Sequence, residues 1–129
     1  MSAPTRIRAL RGAITVDAND AALILEATRT LLREMMLLNS LESVHLVSVI
    51  FTATPDLTAA FPARAARELG WNDVPLLCMS EMTVTRSLPR CVRVLIHVEL
   101  PVEAGRGRHV YLGEAAELRP DLTRCGDSE

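Results

Sequence analysis

Aromatic side chains are scarce in this chain: one tryptophan, one tyrosine and two phenylalanines stand among 129 residues. A core built on rings is excluded, so any core rests on Leu, Val, Ile, Met and Ala. Cysteine is sparse as well. Cys78, Cys91 and Cys125 show no C-x-x-C spacing and never combine with histidine at zinc-ligand intervals. Three thiols, with no basic segment and short apolar run at the start, point to reduced cysteines in a cytoplasm. Long apolar runs are missing too. The most apolar long stretch, "LLREMMLLNSLESVHLVSVIF" (31–51), is broken by Arg33, Glu34, Asn39 and Glu42, so no membrane span is expected. There is no excess of basic residues: the net charge is −2, which argues against a nucleic-acid partner.

The motifs of covalent, metal and nucleotide chemistry are absent from the sequence. No G-x-x-x-x-G-K-[ST], no G-x-G-x-x-G after a strand, no H-E-x-x-H and no G-x-S-x-G occurs. His45, His97 and His109 are scattered and read singly as surface or satisfied residues rather than metal ligands. No metal and no cofactor is expected.

What is present suits one globular domain over residues 1–129, with 49% apolar and 23% charged residues. "TRIRALRGAITV" (5–16) alternates as a first strand, with Arg11 among small or apolar neighbours. Gly12 beside it signals a bulge or a close backbone approach. "DANDAALILEATRTLLREMMLLN" (17–39) is the clearest helix, capped by Asn19 or Asp20. Its expected apolar stripe is Leu23, Ala27, Leu31, Met35 and Leu38, with Glu26 and Arg29 paired on the solvated side. "VHLVSVIFTA" (44–53) is a near-continuous apolar run, predicting a central strand covered on both faces. "FPARAARELG" (61–70) predicts a short helix, opened by Pro62 and closed by Gly70, with Arg64 and Arg67 on one side. "VPLLCM" (74–79), "CVRVLIHVEL" (91–100) and "HVYL" (109–112) are the remaining strands, and the chain frays past Asp121. The expected fold class is α+β: a mixed five-stranded sheet covered by one long and one short helix. One long helix cannot cover both faces of such a sheet, so self-association is expected on burial grounds.

The strand at 91–100 raises a question. Val92, Val94, Ile96 and Val98 share one face, yet Arg93 stands near the middle of the other. An unpaired buried guanidinium would cost on the order of several kcal/mol. Arg93 therefore reaches water, meets an anionic partner, or faces an anionic ligand. Arg11, Arg64 and Arg67 add further guanidiniums, and convergent arginines bind carboxylates bidentately. Glu81, just past a strand end, can pair with an arginine or accept from a ligand hydroxyl. Taken singly, Cys78 reads equally as a core thiol, Phe61 as a staple before Pro62, and Tyr111 as an edge-strand aromatic.

Five collinear segments resemble the small monofunctional chorismate mutases of the trimeric α/β-barrel type: "RALRGAITV" (8–16), "FTATPDLTAAFPARAARELGW" (51–71), "VPLLCMSEMTV" (74–84), "CVRVLIHV" (91–98) and "RHVYLGEAAELRPDL" (108–122). The resemblance implies a homotrimeric pseudo-α/β-barrel with active sites between subunits. It implies the Claisen-type rearrangement of chorismate to prephenate, on the branch toward phenylalanine and tyrosine. Residue by residue, it implies that Arg93 faces the breaking ether bond, that Arg11 and Tyr111 hold a carboxylate, and that Glu81 accepts from the ring hydroxyl and orients Arg93. Cys78 would lie against the ring, while Phe61, Arg64 and Arg67 would line the cleft from the adjacent subunit. Arg119 would close over the ligand. Leu77 departs from the pattern, standing where threonine is common, and Arg64 stands where lysine is familiar. The competing readings are a trimeric module that binds a carboxylate metabolite, a protein like the enamine/imine deaminases, and a plain oligomeric scaffold.

Overall fold

The computed structural model describes residues 4–117; Arg119 and the tail from about residue 122 lie outside the described residues. Five strands form one mixed sheet: β1 (Thr5–Thr15), β2 (Leu46–Ala53), β3 (Leu76–Ser80), β4 (Cys91–Pro101) and β5 (Val110–Leu112). Their order is β3-β2-β4-β1-β5, which puts β4 at the centre. β4 runs antiparallel to both neighbours, while β2–β3 and β1–β5 are parallel pairs. Two helices, α1 (Ala21–Leu38) and α2 (Ala63–Glu68), complete the α+β plan, with short 3-10 turns before β2, after β4 and after β5. No helix among the described residues is long and apolar enough to cross a membrane.

Alternation along β4 builds the core. Val92, Val94, Ile96, Val98 and Leu100 are all buried with Leu10, Ile14, Val49 and Phe51 beneath α1. Each such side chain contributes about 1.5–3 kcal/mol by leaving water. Gly12 makes the close packing of α1 possible. β1 pairs with β4 in unbroken register through this position, so there is no bulge; a Cβ at Gly12 would collide with Met35 and crowd Leu31. The glycine marks the line where helix and sheet touch.

α1 is shorter and differently phased than the periodicity suggests. Asp20 is the cap, its carboxylate accepting from the Leu23 N–H at 3.0 Å. The buried residues are Ile24, Leu25, Thr28, Leu31, Leu32 and Met35, whereas Leu23 and Leu38 are 37% and 36% exposed. Thr28 hides the true phase: its hydroxyl donates to the Ile24 carbonyl at 2.7 Å, so a polar residue sits in the core fully satisfied. Arg29 does not pair with Glu26; it reaches Glu68 of α2 at 2.6 Å and ties the two helices together. Asn19, free of the cap, takes the N–H groups of Thr58 and Ala59 at 2.9 and 3.0 Å and so anchors the loop before Phe61.

α2 ends as its sequence predicts. Gly70, at φ +91°, donates to Arg67, and Trp71 donates back to Ala66, closing the helix in a Schellman turn with Trp71 buried. β2 corrects one expectation. Its Val49 and Phe51 face the core, but Ser48, Ile50 and Thr52 lie on the opposite, only part-covered side. A continuous apolar run cannot say whether its second face meets a helix or lies open. Here both helices pack on one side, and the other side of the sheet carries the polar residues that matter next.

Candidate functional site

Register places the site. Across the open face, one row of paired residues runs Met79, Thr52, Arg93, Ala13 and Tyr111, one from each strand. The next row holds Leu77, Ile50, Leu95 and Arg11. A cavity of about 570 Å³ opens over these two rows, lined by Arg11, Gly12, Ile50, Thr52, Glu81, Arg93, Val94, Leu95 and Tyr111. Ala13 is important by being small. It lies between Arg93 and Tyr111 and leaves both longer side chains room over it.

Arg93 answers the question posed by its strand. Its side chain is 46% exposed, and Nε lies 3.5 Å from Glu81 Oε2. It is neither stranded in the core nor sealed in an internal ion pair: a carboxylate holds it on one side and the cavity lies on the other. Glu81 is fixed in turn. Its N–H donates to the Ala53 carbonyl at 2.9 Å, and its Oε2 accepts from the Thr52 hydroxyl at 2.6 Å. Arg93 also approaches the buried thiol of Cys91, two residues back on the same face. Burial pushes that thiol up despite the nearby guanidinium, so it stays protonated. Cys91, Ala13 and Ala115 form a small apolar cluster against which Tyr111 packs.

Arg11 is held through its main chain. Its N–H donates to Nδ1 of His109 at 2.9 Å, which extends the β1–β5 pairing by one side-chain contact. His109 is buried and does not line the Arg93 cavity; it lines a neighbouring depression with Arg8, Arg11 and Arg106. The charged lining of the cavity is two guanidiniums and one carboxylate, with the Tyr111 phenol beside them. Such a surface suits an organic dianion carrying a hydroxyl: two carboxylates for the arginines, one donor for Glu81.

The remaining expected residues gather elsewhere. Phe61, Arg64 and Cys78 line a second cavity of about 650 Å³, together with Thr52, Met79 and the 53–60 loop. Cys78 pairs in register with Phe51, so it faces the helix side of the sheet, opposite to Arg93. Phe61 is 75% exposed, an unusual position for one of only two phenylalanines. Arg64 leans toward Glu68 at 3.6 Å, and Arg67 is exposed on the same helix. Leu77 lies exposed on the Arg93 face, but lines neither cavity. Within one chain, then, Arg11, Glu81, Arg93 and Tyr111 converge, while Phe61, Arg64 and Arg67 stand apart on an outward-facing edge. Thr52 and His109 are residues that motif reading does not single out. Their signal is positional, and it appears only once the register is known.

Known proteins resemble this chain along most of its length. The family described as chorismate mutase type I matches residues 7–122. A chorismate mutase AroH of Thermus thermophilus is 50% identical over 117 residues, spanning 90% of this chain and 96% of its own length. A chorismate mutase AroH of Bacillus subtilis (strain 168) is 44% identical over 124 residues, spanning 95% and 98%. A solved chorismate mutase from Clostridium thermocellum superposes with a TM-score of 0.82 at 47% identity, covering 84% of this chain and 97% of that one.

Proposed function

The chain belongs to the chorismate mutase type I family, and we propose that it converts chorismate to prephenate in clefts shared by neighbouring subunits of a homotrimer. The reaction is a unimolecular Claisen-type rearrangement at the branch toward phenylalanine and tyrosine. One ether C–O bond breaks and one C–C bond forms within the same molecule. It needs no nucleophile and no proton transfer.

Two tasks remain for the protein. The first is to hold a flexible dicarboxylate in the folded conformer from which the bonds can exchange. Arg11 and Tyr111 grip one carboxylate, and Glu81 accepts from the ring hydroxyl. The second is to stabilise the charge that develops when the C–O bond lengthens ahead of C–C bond formation. The ether oxygen becomes more negative, and a fixed cation beside it binds the transition state more strongly than the substrate. Arg93 takes that role. Its Nε side is steadied by Glu81, so the guanidinium is oriented before the substrate arrives. Phe61, Arg64 and Arg67 of an adjacent subunit complete the wall, with Arg119 as a further contact; Cys78, on the other face of β3 from Arg93, enters from the Phe61 cavity. The open sheet face and the exposed Phe61 support this shared-cleft reading, because each is half of a surface.

The observation that carries the reading is the position of Arg93: on the central strand, half exposed, held by Glu81 and facing a cavity lined also by Arg11 and Tyr111. The test is direct. Purified protein is mixed with chorismate, and the loss of diene absorbance is followed while light scattering measures the mass. Accelerated, saturable loss is expected from an assembly three times the 14.1 kDa chain, with competitive inhibition by a bicyclic ether mimic of the transition state. A folded assembly that binds the mimic without accelerating the reaction would make the protein a carboxylate-binding module instead.

A further inference from the structure

We propose that Thr52 is a positioning residue that decides which oxygen of Glu81 is presented to the ligand. The inference rests on the reading of Glu81 as the acceptor of the substrate hydroxyl. Two donors converge on one carboxylate oxygen. The Thr52 hydroxyl donates to Oε2 at 2.6 Å, and Arg93 Nε approaches the same Oε2 at 3.5 Å. Among the described residues, Oε1 accepts no hydrogen bond. The carboxylate is therefore asymmetric: Oε2 is anchored in the wall of the cleft, and Oε1 is the oxygen available to an incoming donor.

The placement is built into the sheet. Thr52 is the direct partner of Arg93 across the β2–β4 ladder, so its hydroxyl and the guanidinium rise from adjacent points of one row. Glu81 leaves β3 and is pinned by its N–H to Ala53, the residue after Thr52. Main chain and side chain of Glu81 are thus both referenced to the last two residues of β2. Thr52 also lines both cavities, the one containing Arg93 and the one containing Phe61, Arg64 and Cys78. Without its hydroxyl, the carboxylate would be free to rotate and to offer both oxygens to Arg93. That would draw the guanidinium toward Glu81 and away from the breaking bond, and it would blur the acceptor for the ring hydroxyl.

Valine and serine at this position separate positioning from packing. Valine keeps the shape and the β-branch of threonine but has no hydroxyl; serine keeps the hydroxyl and loses the methyl group. If Thr52 positions Glu81, Thr52→Val lowers kcat/KM by about tenfold or more, the size of one hydrogen bond to a charged group. Thr52→Ser then retains most of the activity, and in a Glu81→Ala background Thr52→Val has no further effect. If Thr52 merely fills the strand, the order reverses: Val is active and Ser is the impaired variant, and that order overturns the proposal. Circular dichroism and urea midpoints establish that both variants are folded. Glu81→Ala alone distinguishes the two levels of the argument. If it leaves kcat/KM unchanged, the assigned role of Glu81 fails; if it is damaging while Thr52→Val is not, only the role of Thr52 fails.

Discussion

Replacing Arg93 by lysine keeps a positive charge on β4 but removes the planar fork. In the native site the guanidinium serves two directions at once, with Nε toward Glu81 at 3.5 Å and the rest of the group beside the cavity. A single ammonium on a flexible stem settles on one partner. Glu81 is fixed by Thr52 and Ala53, so on the proposed role of Arg93 the ammonium would be drawn to the carboxylate and lost to the ether oxygen. Removing one donor aimed at developing negative charge costs about 2.7–4 kcal/mol, or roughly 10²–10³ in kcat. The cost to folding is of another order. The Arg93 and Glu81 side chains are 46% and 23% exposed, and a pair this open is worth less than about 1 kcal/mol. Arg93→Lys should therefore lose most of its kcat with little change in urea midpoint. The assay is initial-rate kinetics on chorismate, run beside urea unfolding of the same preparation. A fall in kcat of less than about tenfold, or 1.4 kcal/mol, would show that fixed charge geometry is not what accelerates the reaction. A large loss of stability would show instead that Arg93 is a structural ion-pair member.

Other perturbations probe the frame around the site. Gly12→Ala should destabilise the fold by about 1 kcal/mol in urea titrations, since the new methyl group meets the flexible end of Met35. In Arg29→Ala the α1–α2 tie is lost; because the Arg29–Glu68 pair is partly exposed, the cost should stay below about 1 kcal/mol, read from the thermal midpoint. Burial pushes the Asp56 carboxyl up, but bonds from the Thr54 hydroxyl and the Arg90 N–H, with the Arg90 charge, bring it below the ordinary value of 3.8. The folded state then binds that proton less readily than the unfolded chain, so its contribution is present above the unfolded value and fades as pH falls through the lowered one. Asp56→Asn should flatten the acid limb of a stability profile taken below about pH 5. In a Cys125→Ser background, iodoacetamide should modify the part-exposed Cys78 and spare Cys91, whose thiol is buried and kept protonated; peptide mass mapping reads the result.

Alternation carried much of the fold. The split of β4 into Val92, Val94, Ile96 and Val98 against Arg93 and its neighbours is a period-two signal, and the structure keeps it without a slip. Helical phase was less legible, because Thr28 bonds its own helix and packs as an apolar residue would, while Leu23 and Leu38 stay exposed. Strand order is not written locally at all. The pairing of β1 with β5 joins residues nearly a hundred positions apart, and nothing in "HVYL" names its partner. The same limit explains the site. Arg11, Arg93 and Glu81 stood out as charges in or beside apolar strands. Thr52 and His109 are ordinary in sequence and acquire meaning only as cross-strand neighbours of Arg93 and Arg11. Cys78 and Leu77 show the reverse case: adjacent in sequence, they point to opposite faces of β3, so only Leu77 shares the Arg93 side.

A strand that is apolar on one face and carries arginine on the other resolves a conflict between stability and catalysis. A catalytic guanidinium must be rigid, yet it must not be buried without a partner. Placing Arg93 on β4, the central strand of the sheet, gives it a backbone held by ladders on both sides. The cost of that central position is avoided because the helices cover only the even-numbered face. Beyond the small Cys91–Ala13–Ala115 cluster, the odd-numbered face around Arg93 is open to water or ligand, and Glu81 supplies a counter-charge at a distance that steadies without sealing. Ile7 and Leu77 remain exposed around this cleft, surface that a single chain leaves uncovered and that a neighbouring subunit would bury. On the proposed assembly, the same uncovered face then does two things: its apolar rim recruits the neighbour, and its charged centre becomes enclosed by that neighbour's Phe61 edge. Enclosure lowers the local dielectric around Arg93 and strengthens its interaction with developing charge. On that proposal, oligomerisation and transition-state stabilisation share one origin in the topology, that both helices pack on the same side.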